Sequence, residues 1–338
     1  MKAVQFPLPG KGVLIDLDEP IVEKGQALIQ VKSAGICGSD IGAFRGSNPL
    51  VSYPRVIGHE IAGEVVSIPE NKKGIRVGDR VIVDPYLYCG HCYPCSIGRT
   101  NCCTSLNVLG VHVDGGMAER FAHPADMLVK VPDDMPWDII PIAEPLTIAL
   151  HGLHRAKLTK GEHVVISGAG PIGLLAAMAA LDMGAVPIMI DPVEERLEKA
   201  KSLGVAYTIN PVSEDVVEKI KNYTNGRMAE VVMEASGANS AVRASLDYVS
   251  HAGRVVFTGW PKKETSLPTG LITKKEIDIR GARTSAGEFE EAIDLIYSGR
   301  VDARAILTKT VPLSDAVDTI ADIDKNPGNY LKVNVIMD

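Results

Sequence analysis

The sequence predicts an α/β protein in which a doubly wound parallel sheet is joined to a separate β-rich lobe. Three observations carry this expectation. The chain has 338 residues, longer than one hydrophobic core usually extends, so two domains are expected. From about residue 160 apolar strand-like runs alternate with helix-like ones, the texture of repeated βαβ units. Before about residue 140 the chain instead consists of short apolar runs broken by Gly and Pro roughly every ten residues, which reads as irregular short strands.

Taken in order, "ALIQVKSAGICG", "EVVSI" and "RVIVDP" supply strands of the first lobe. Next come "EHVVISGAG", "PIGLLAAMAALDMGA", "VPIMID", "PVEERLEKAKSLGV" and "AYTIN", a βαβαβ succession. It continues through "SEDVVEKIKNYT", "AEVVMEAS", "NSAVRASLDYVS" and "GRVVFTGW", so six parallel strands with helices on both faces are expected. The tail holds an amphipathic helix at 288–299 and a strand-like "YLKVNVIMD". This predicts a nucleotide-binding domain over 147–276, inserted between 1–146 and 277–338 of a β-rich domain.

Composition excludes several function classes. Lys plus Arg number 35 and Asp plus Glu 42, a net charge of −7, with no long run of like charge. That opposes a nucleic-acid or anionic-membrane footprint. The N-terminus reaches Pro and Gly before any apolar run long enough for a signal peptide, and the most apolar segment, 172–181, stops at Asp182. No spanning segment and no export signal are expected, which points to the reducing cytoplasm, where thiols stay free or bind metal.

Gly168, Gly170 and Gly173 stand in G-x-G-x-x-G spacing between the strand "HVVIS" and the helix that Pro171 and Ile172 open. The first glycine permits a tight turn, the second lets a pyrophosphate approach the backbone, and the third lets helix and strand pack closely. Alone, the pattern is also compatible with a structural turn. Asp191, 18 positions past Gly173, adds a carboxylate where ribose hydroxyls are bound and where a 2′-phosphate is repelled, favouring NAD over NADP. Arg196 leaves the second cofactor open, since an arginine five residues on can neutralise a phosphate.

Five of the six cysteines fall within residues 88–103. Cys89, Cys92 and Cys95 are spaced C-x-x-C-x-x-C, and Cys103 follows after seven intervening residues. Such gaps let one loop aim four thiolates at a closed, tetrahedral, structural zinc. An iron–sulfur site competes, but the ferredoxin run closes with a shorter gap. Cys102 is left as a free thiol or as a substitute for Cys103. The sixth, Cys37 in "GICGSD", precedes His59 in "IGHEIAGEV" and Glu144 in "AEPLTIAL". One thiolate, one imidazole and one carboxylate suit a zinc that keeps an exchangeable position. By spacing alone, a buried cysteine, a core histidine and a helix-capping acid explain them equally well.

The motifs "GICGSD", "GHEIAGEV", "VGDRV", the cysteine lobe, "DGGMAE", "EPL", "GAGPIG" and Asp191, in that order, resemble the zinc-dependent medium-chain dehydrogenases, which include alcohol, sorbitol and threonine dehydrogenases. The likeness covers essentially the whole chain. It implies a GroES-like catalytic domain beside a Rossmann domain, two zinc ions per chain, NAD, a homodimer or homotetramer, and reversible oxidation of a secondary alcohol. It further implies that Cys37, His59 and Glu144 approach a catalytic zinc with Glu60 as an alternative ligand, and that Cys89, Cys92, Cys95 and Cys103 hold the structural one. Ser39 matches the position bonding the reacting hydroxyl, Arg196 one at the adenosine ribose, and Arg283 one near nicotinamide and substrate.

One departure stands out: Gly42 replaces the histidine that family members commonly carry five positions after the zinc cysteine. Within the family, "CYPCSIGRTNCC", "VLGVHVDGGMAE" and "TKKE" most resemble bacterial sugar-acid oxidoreductases of the L-galactonate and L-gulonate 5-dehydrogenase kind, with sorbitol- and idonate-type enzymes as neighbours. Arg283 or Arg45 is then a candidate partner for a substrate carboxylate. The rival readings are a zinc-ribbon interaction module, and a zinc-free reductase or NAD-binding sensor on the same scaffold.

Overall fold

The computed structural model describes residues 1–337. It divides into two compact units, Met1–Glu144 with the chain from Ala303 onward, and Pro145–Asp302.

The first unit is built on a seven-stranded sheet and a smaller three-stranded one. The strand Gln26–Ile36 is central: it pairs antiparallel with Glu60–Ser67, with Arg120–Pro124 and with the C-terminal strand Lys332–Ile336. Its sequence explains its place. Ala27, Ile29 and Val31 turn inward while Gln30 and Lys32 turn outward, and its last four residues are all buried. Each such Ile or Val adds about 1.5–3 kcal/mol by leaving water. The return of the chain end to this strand makes Met1–Glu144 and the tail one core, which includes Ile29, Ile61, Val81, Val333 and Val335.

The second unit is a six-stranded sheet in which every pairing is parallel. From one edge to the other its strands are Tyr207–Ile209, Val186–Ile190, His163–Ser167, Ala229–Glu234, Val249–Phe257 and Asp278–Gly281, the 3-2-1-4-5-6 order of a Rossmann domain. The helix Pro171–Asp182 is buried from Gly173 to Ala180, and its run of alanines keeps it close to the sheet. The helix expected at 288–299 forms over Phe289–Tyr297 and ends before Gly299, which takes the left-handed backbone that stops helices at φ +74°. Ahead of it the buried Glu288 carboxylate accepts the Ala286 N–H at 2.6 Å and lies 2.7 Å from His151 Nδ1.

The division differs from the sequence expectation, which returns the chain to the first domain at 277 rather than at Ala303. The sixth strand, Asp278–Gly281, pairs with the fifth through Val255 and Ile279, so it and the helix after it belong to the second unit. Four residues reading "DIRG" carry too little apolar pattern to announce a strand. Among the described residues, no helix is long and apolar enough to cross a membrane.

Candidate metal and dinucleotide sites

The cysteine lobe is folded by its own short elements. Cys92 caps the four-residue helix Tyr93–Ser96, a 3-10 turn follows at Thr100–Cys102, and Cys103 comes next. The sulfurs of Cys89, Cys92, Cys95 and Cys103 all lie within 4.8 Å of one another. Cys92 Sγ is 3.4 Å from Cys95 Sγ and 3.8 Å from Cys103 Sγ. Four thiolates around zinc at about 2.3 Å stand about 3.8 Å apart, so the lobe has the dimensions of a closed tetrahedral site. Backbone N–H groups of Cys89 and Ser105 point at Cys103 Sγ, each at 3.3 Å. Amides of Thr104 and Cys95 hold the Cys92 thiol down to about 6. None of the six cysteines is in a disulfide, and Cys102 is outside the group of four.

The second centre draws on distant parts of the first unit. Cys37 ends the central strand's excursion and opens the helix Gly38–Phe44; the Asp40 carboxylate accepts its N–H at 2.8 Å. His59 directly precedes the strand Glu60–Ser67. Glu60 faces Gly35 across the ladder, and a Cβ on Gly35 would stand 1.8 Å from the Glu60 carboxylate, so only glycine leaves room for it. One ligand atom each from Cys37, His59 and Glu60 lie within 4.8 Å of one another. Ser39 Oγ is 3.4 Å from His59 Nε2. Glu144 is outside this trio, though its charge acts on His59, and its carboxylate accepts a hydrogen bond from the Tyr86 hydroxyl.

Charge in this region is lopsided. Asp40, Glu60 and Glu144 are fully or almost fully buried with Cys37 beside them, and the ammonium of Lys332 answers them by donating to Glu60 and to the Ile36 carbonyl. Burial pushes the Glu144 carboxyl up to about 7 against the pull of His59, and Glu60 adds to the rise. Burial likewise raises Asp40. For His59 burial opposes charge, yet Cys37, Asp40 and Glu144 together hold it well above its usual value. His59 Nδ1 and Asp40 Oδ1 are both buried without a hydrogen-bond partner, 3.9 Å apart. A neutral imidazole turning Nδ1–H toward Asp40 frees Nε2 for a metal, the carboxylate–histidine arrangement of zinc sites. The donor set and the excess of acid therefore fit a divalent cation.

The dinucleotide motif lies at the carboxyl end of the parallel sheet, as expected for a crevice ligand. Gly168 adopts φ +103°, and a Cβ on Gly173 would meet the Gly168 carbonyl oxygen at 1.8 Å, so the first and third glycines are sterically required. Gly170 caps the helix that starts at Pro171 and continues through Ile172. Asp191 is buried, and its two oxygens accept the N–H groups of Ala169 at 2.7 Å and Val193 at 2.9 Å. Arg196 reaches within 3.9 Å of the same carboxylate. Arg283 is half-buried in the segment that follows the sixth strand.

One reading from sequence changes. Arg45 pairs with Asp324 through its guanidinium and donates to that residue's carbonyl at 3.1 Å, so its fork is taken by this chain. Sequence reasoning also missed Asp40, Tyr86 and Lys332 as members of the second centre. Lys332 carried a signal: a lysine within the apolar "YLKVNVIMD" strand is a polar residue at a core position.

The chain matches two protein families: the alcohol dehydrogenase GroES-like domain over residues 23–133, and zinc-binding dehydrogenase over residues 171–298. It is 56% identical to an uncharacterized zinc-type alcohol dehydrogenase-like protein of Haemophilus influenzae, over 99% of this chain and 98% of that one. It is 36% identical to L-galactonate-5-dehydrogenase of Escherichia coli, over 89% and 88%. The crystal structure of an Escherichia coli alcohol dehydrogenase complexed with NADH superposes with a TM-score of 0.93 at 34% identity, covering 99% of each chain. With relatives this similar along nearly its whole length, the chain belongs to the zinc-binding, medium-chain alcohol dehydrogenase family and is an oxidoreductase.

Proposed function

We propose that this protein is a cytoplasmic, homo-oligomeric, NAD-dependent zinc dehydrogenase that oxidises a secondary alcohol of a sugar acid to a ketone, with a polyol as the second substrate reading. The observation that carries it is the convergence of Cys37, His59 and Glu60 within 4.8 Å beside Ser39. Those donors leave room for an exchangeable position, as a catalytic rather than a structural site requires. The likeness to L-galactonate-5-dehydrogenase supports the substrate class, and the open edge strand Asp278–Gly281, with Ile279 exposed, supports association of copies.

In this reading Cys37 and His59 hold one zinc with Glu60 or Glu144 as the carboxylate ligand, and Cys89, Cys92, Cys95 and Cys103 hold the other. When bound, the first zinc supplies Lewis acidity to a substrate hydroxyl, and nicotinamide accepts the hydride. Asp40 steadies His59 from behind, Lys332 keeps the Glu60 carboxylate in place, and Tyr86 holds Glu144. Ser39 Oγ accepts a hydrogen bond from the substrate hydroxyl and releases its own proton as it takes that one. Its onward path has no side chain at Gly42, where a Cβ would meet only Asn48 Cβ at 3.6 Å and Ser47 Oγ at 3.8 Å. Asp191 receives the adenosine ribose and opposes a 2′-phosphate, with Gly168, Gly170, Pro171, Ile172 and Gly173 at the pyrophosphate and Arg196 and Arg283 at either end.

The test is a panel of aldonates, polyols and primary alcohols, each with NAD and NADP, read by NADH or NADPH absorbance alongside metal analysis and light scattering. Fastest turnover of an aldonate with NAD, at two zincs per chain, is expected. Primary alcohols turning over best would remove the sugar-acid assignment, and one zinc per chain without activity would favour the sensor.

A further inference from the structure

The carboxyl end of the parallel sheet holds a buried acid that neither the metal centres nor the glycine-rich turn uses. Glu234 closes the strand Ala229–Glu234, is fully buried, and lies in register with Ser167 at the end of the first strand. The order of strands reverses between these two, so their ends border the crevice where an open α/β sheet takes its ligand. Asp191, at the end of the second strand, marks the adenosine side. The ends of the fourth, fifth and sixth strands then serve the other half of the dinucleotide, the nicotinamide.

The surroundings of Glu234 are unusual for a buried acid. Its carboxylate accepts the Ser236 N–H at 2.9 Å, the Ser236 hydroxyl, and the Gly237 N–H at 3.1 Å. Its backbone oxygen accepts the N–H groups of Thr258 and Gly259, both at 2.9 Å. A Cβ on Gly259 would come within 2.5 Å of the carboxylate, and one on Gly168 within 3.0 Å of Ser236. The acid is thus wedged among the turns that follow the first, fourth and fifth strands. The donors that hold its carboxylate, the N–H groups of Ser236 and Gly237 and the Ser236 hydroxyl, are all neutral. Neutral N–H and O–H dipoles solvate a charge without cancelling it, so its field extends into the crevice.

We propose that Glu234 is a positioning residue that biases the site toward the oxidised cofactor, its fixed negative charge favouring the cationic pyridinium of NAD over the neutral dihydropyridine of NADH. The inference rests on the NAD reading above. Oxidised nicotinamide carries a positive charge that the reduced ring lacks, so a charge on the protein acts on one form and not the other. Shape and hydrogen bonding in the turns act on both forms alike. The ratio of the two dissociation constants therefore separates the electrostatic role from a merely structural one.

The experiment is calorimetric titration of the wild type, Glu234→Gln, Glu234→Asp and Ser236→Ala with NAD and with NADH. In Glu234→Gln the ratio Kd(NAD)/Kd(NADH) should rise about five- to tenfold, as expected for removal of a unit charge about 12–17 Å away at an effective dielectric near 20, and more if the charge is nearer. Glu234→Asp and Ser236→Ala should keep the wild-type ratio even where both affinities fall. Ser236 is exposed, so Ser236→Lys, which brings an ammonium beside the acid, gives the same rise should the glutamine variant not fold. An unchanged ratio in Glu234→Gln, or in Ser236→Lys where that variant stands in, overturns the proposal. A wild type that binds neither dinucleotide overturns the NAD reading itself.

Discussion

The cysteine lobe and the Cys37 centre are both candidate zinc sites, yet they are assembled in opposite ways. The lobe takes four sulfurs from residues 89–103 of one loop, whose small helix and 3-10 turn aim them inward. The other centre takes Cys37 from the end of a long strand, His59 and Glu60 from the start of another, and leans on Asp40, Tyr86, Glu144 and Lys332. A local site draws all its ligands from one loop, so their spacing along the chain already chooses them. A dispersed site exists only in the folded sheet, and its uneven donors leave a position for chemistry.

The sharpest way to break this contrast is to remove one ligand from each centre. Cys92→Ser should lower zinc from two to one per chain and cost the first unit about 5 kcal/mol or more, since structural zinc binding is itself folding energy. A thermal scan with metal analysis reads both; an unchanged melting point would mean that the lobe is not a structural zinc site. Cys37→Ala should lose zinc to the same extent but leave the melting point within a few degrees, while turnover falls ~10³-fold, about 4 kcal/mol of transition-state stabilisation. Turnover surviving with only the lobe zinc present would reject the mechanism.

The same contrast explains what could be read from sequence. Two-residue gaps between Cys89, Cys92 and Cys95 constrain where sulfurs point whatever the rest of the chain does, so spacing alone announced the lobe. Cys37, His59 and Glu144 stand far apart, and family likeness rather than spacing brought them together. Even so, the third convergent donor is Glu60, because register places it opposite Gly35 and next to His59, while Tyr86 engages Glu144. The six-stranded order followed from the βαβ texture, but the sixth strand was hidden. "DIRG" is short and half polar, and only its ladder with Val249–Phe257 defines it. Asp40 and Lys332 act through buried charge, which no periodicity reports.

Lys332→Met sharpens the comparison further, because the dispersed centre contains this lysine while no corresponding cation has been placed among the lobe's ligands. Leaving Glu60 buried without its ammonium should cost about 3 kcal/mol by urea unfolding, with Lys332→Arg recovering most of it. Equal stability of the Met variant would mean that Glu60 has another counter-charge.

The smallest expected effect comes from a carboxylate outside both centres. Burial raises Glu288, but hydrogen bonds from His151 and His154 outweigh it and hold the carboxyl down to about 2, from 4.5. A depressed acid stabilises the fold above its unfolded value and loses that contribution as pH falls, here between about 4.5 and about 2. Glu288→Gln should therefore cost on the order of 2 kcal/mol at neutral pH, an effect that fades across that acid window and is insensitive to chelators. The same cost at every pH would assign the loss to packing instead.

Asp191 holds a lesson for anyone wishing to retune cofactor preference. Its two oxygens already pin the amides of Ala169, inside the glycine-rich turn, and of Val193, at the start of the next helix. Substituting a small neutral side chain to admit a phosphorylated ribose would also unfasten that turn, so affinity for either coenzyme should drop together. Any variant or relative that has switched must have rebuilt the anchoring of the loop elsewhere, and second-site changes near residues 169 and 193 are the place to seek it.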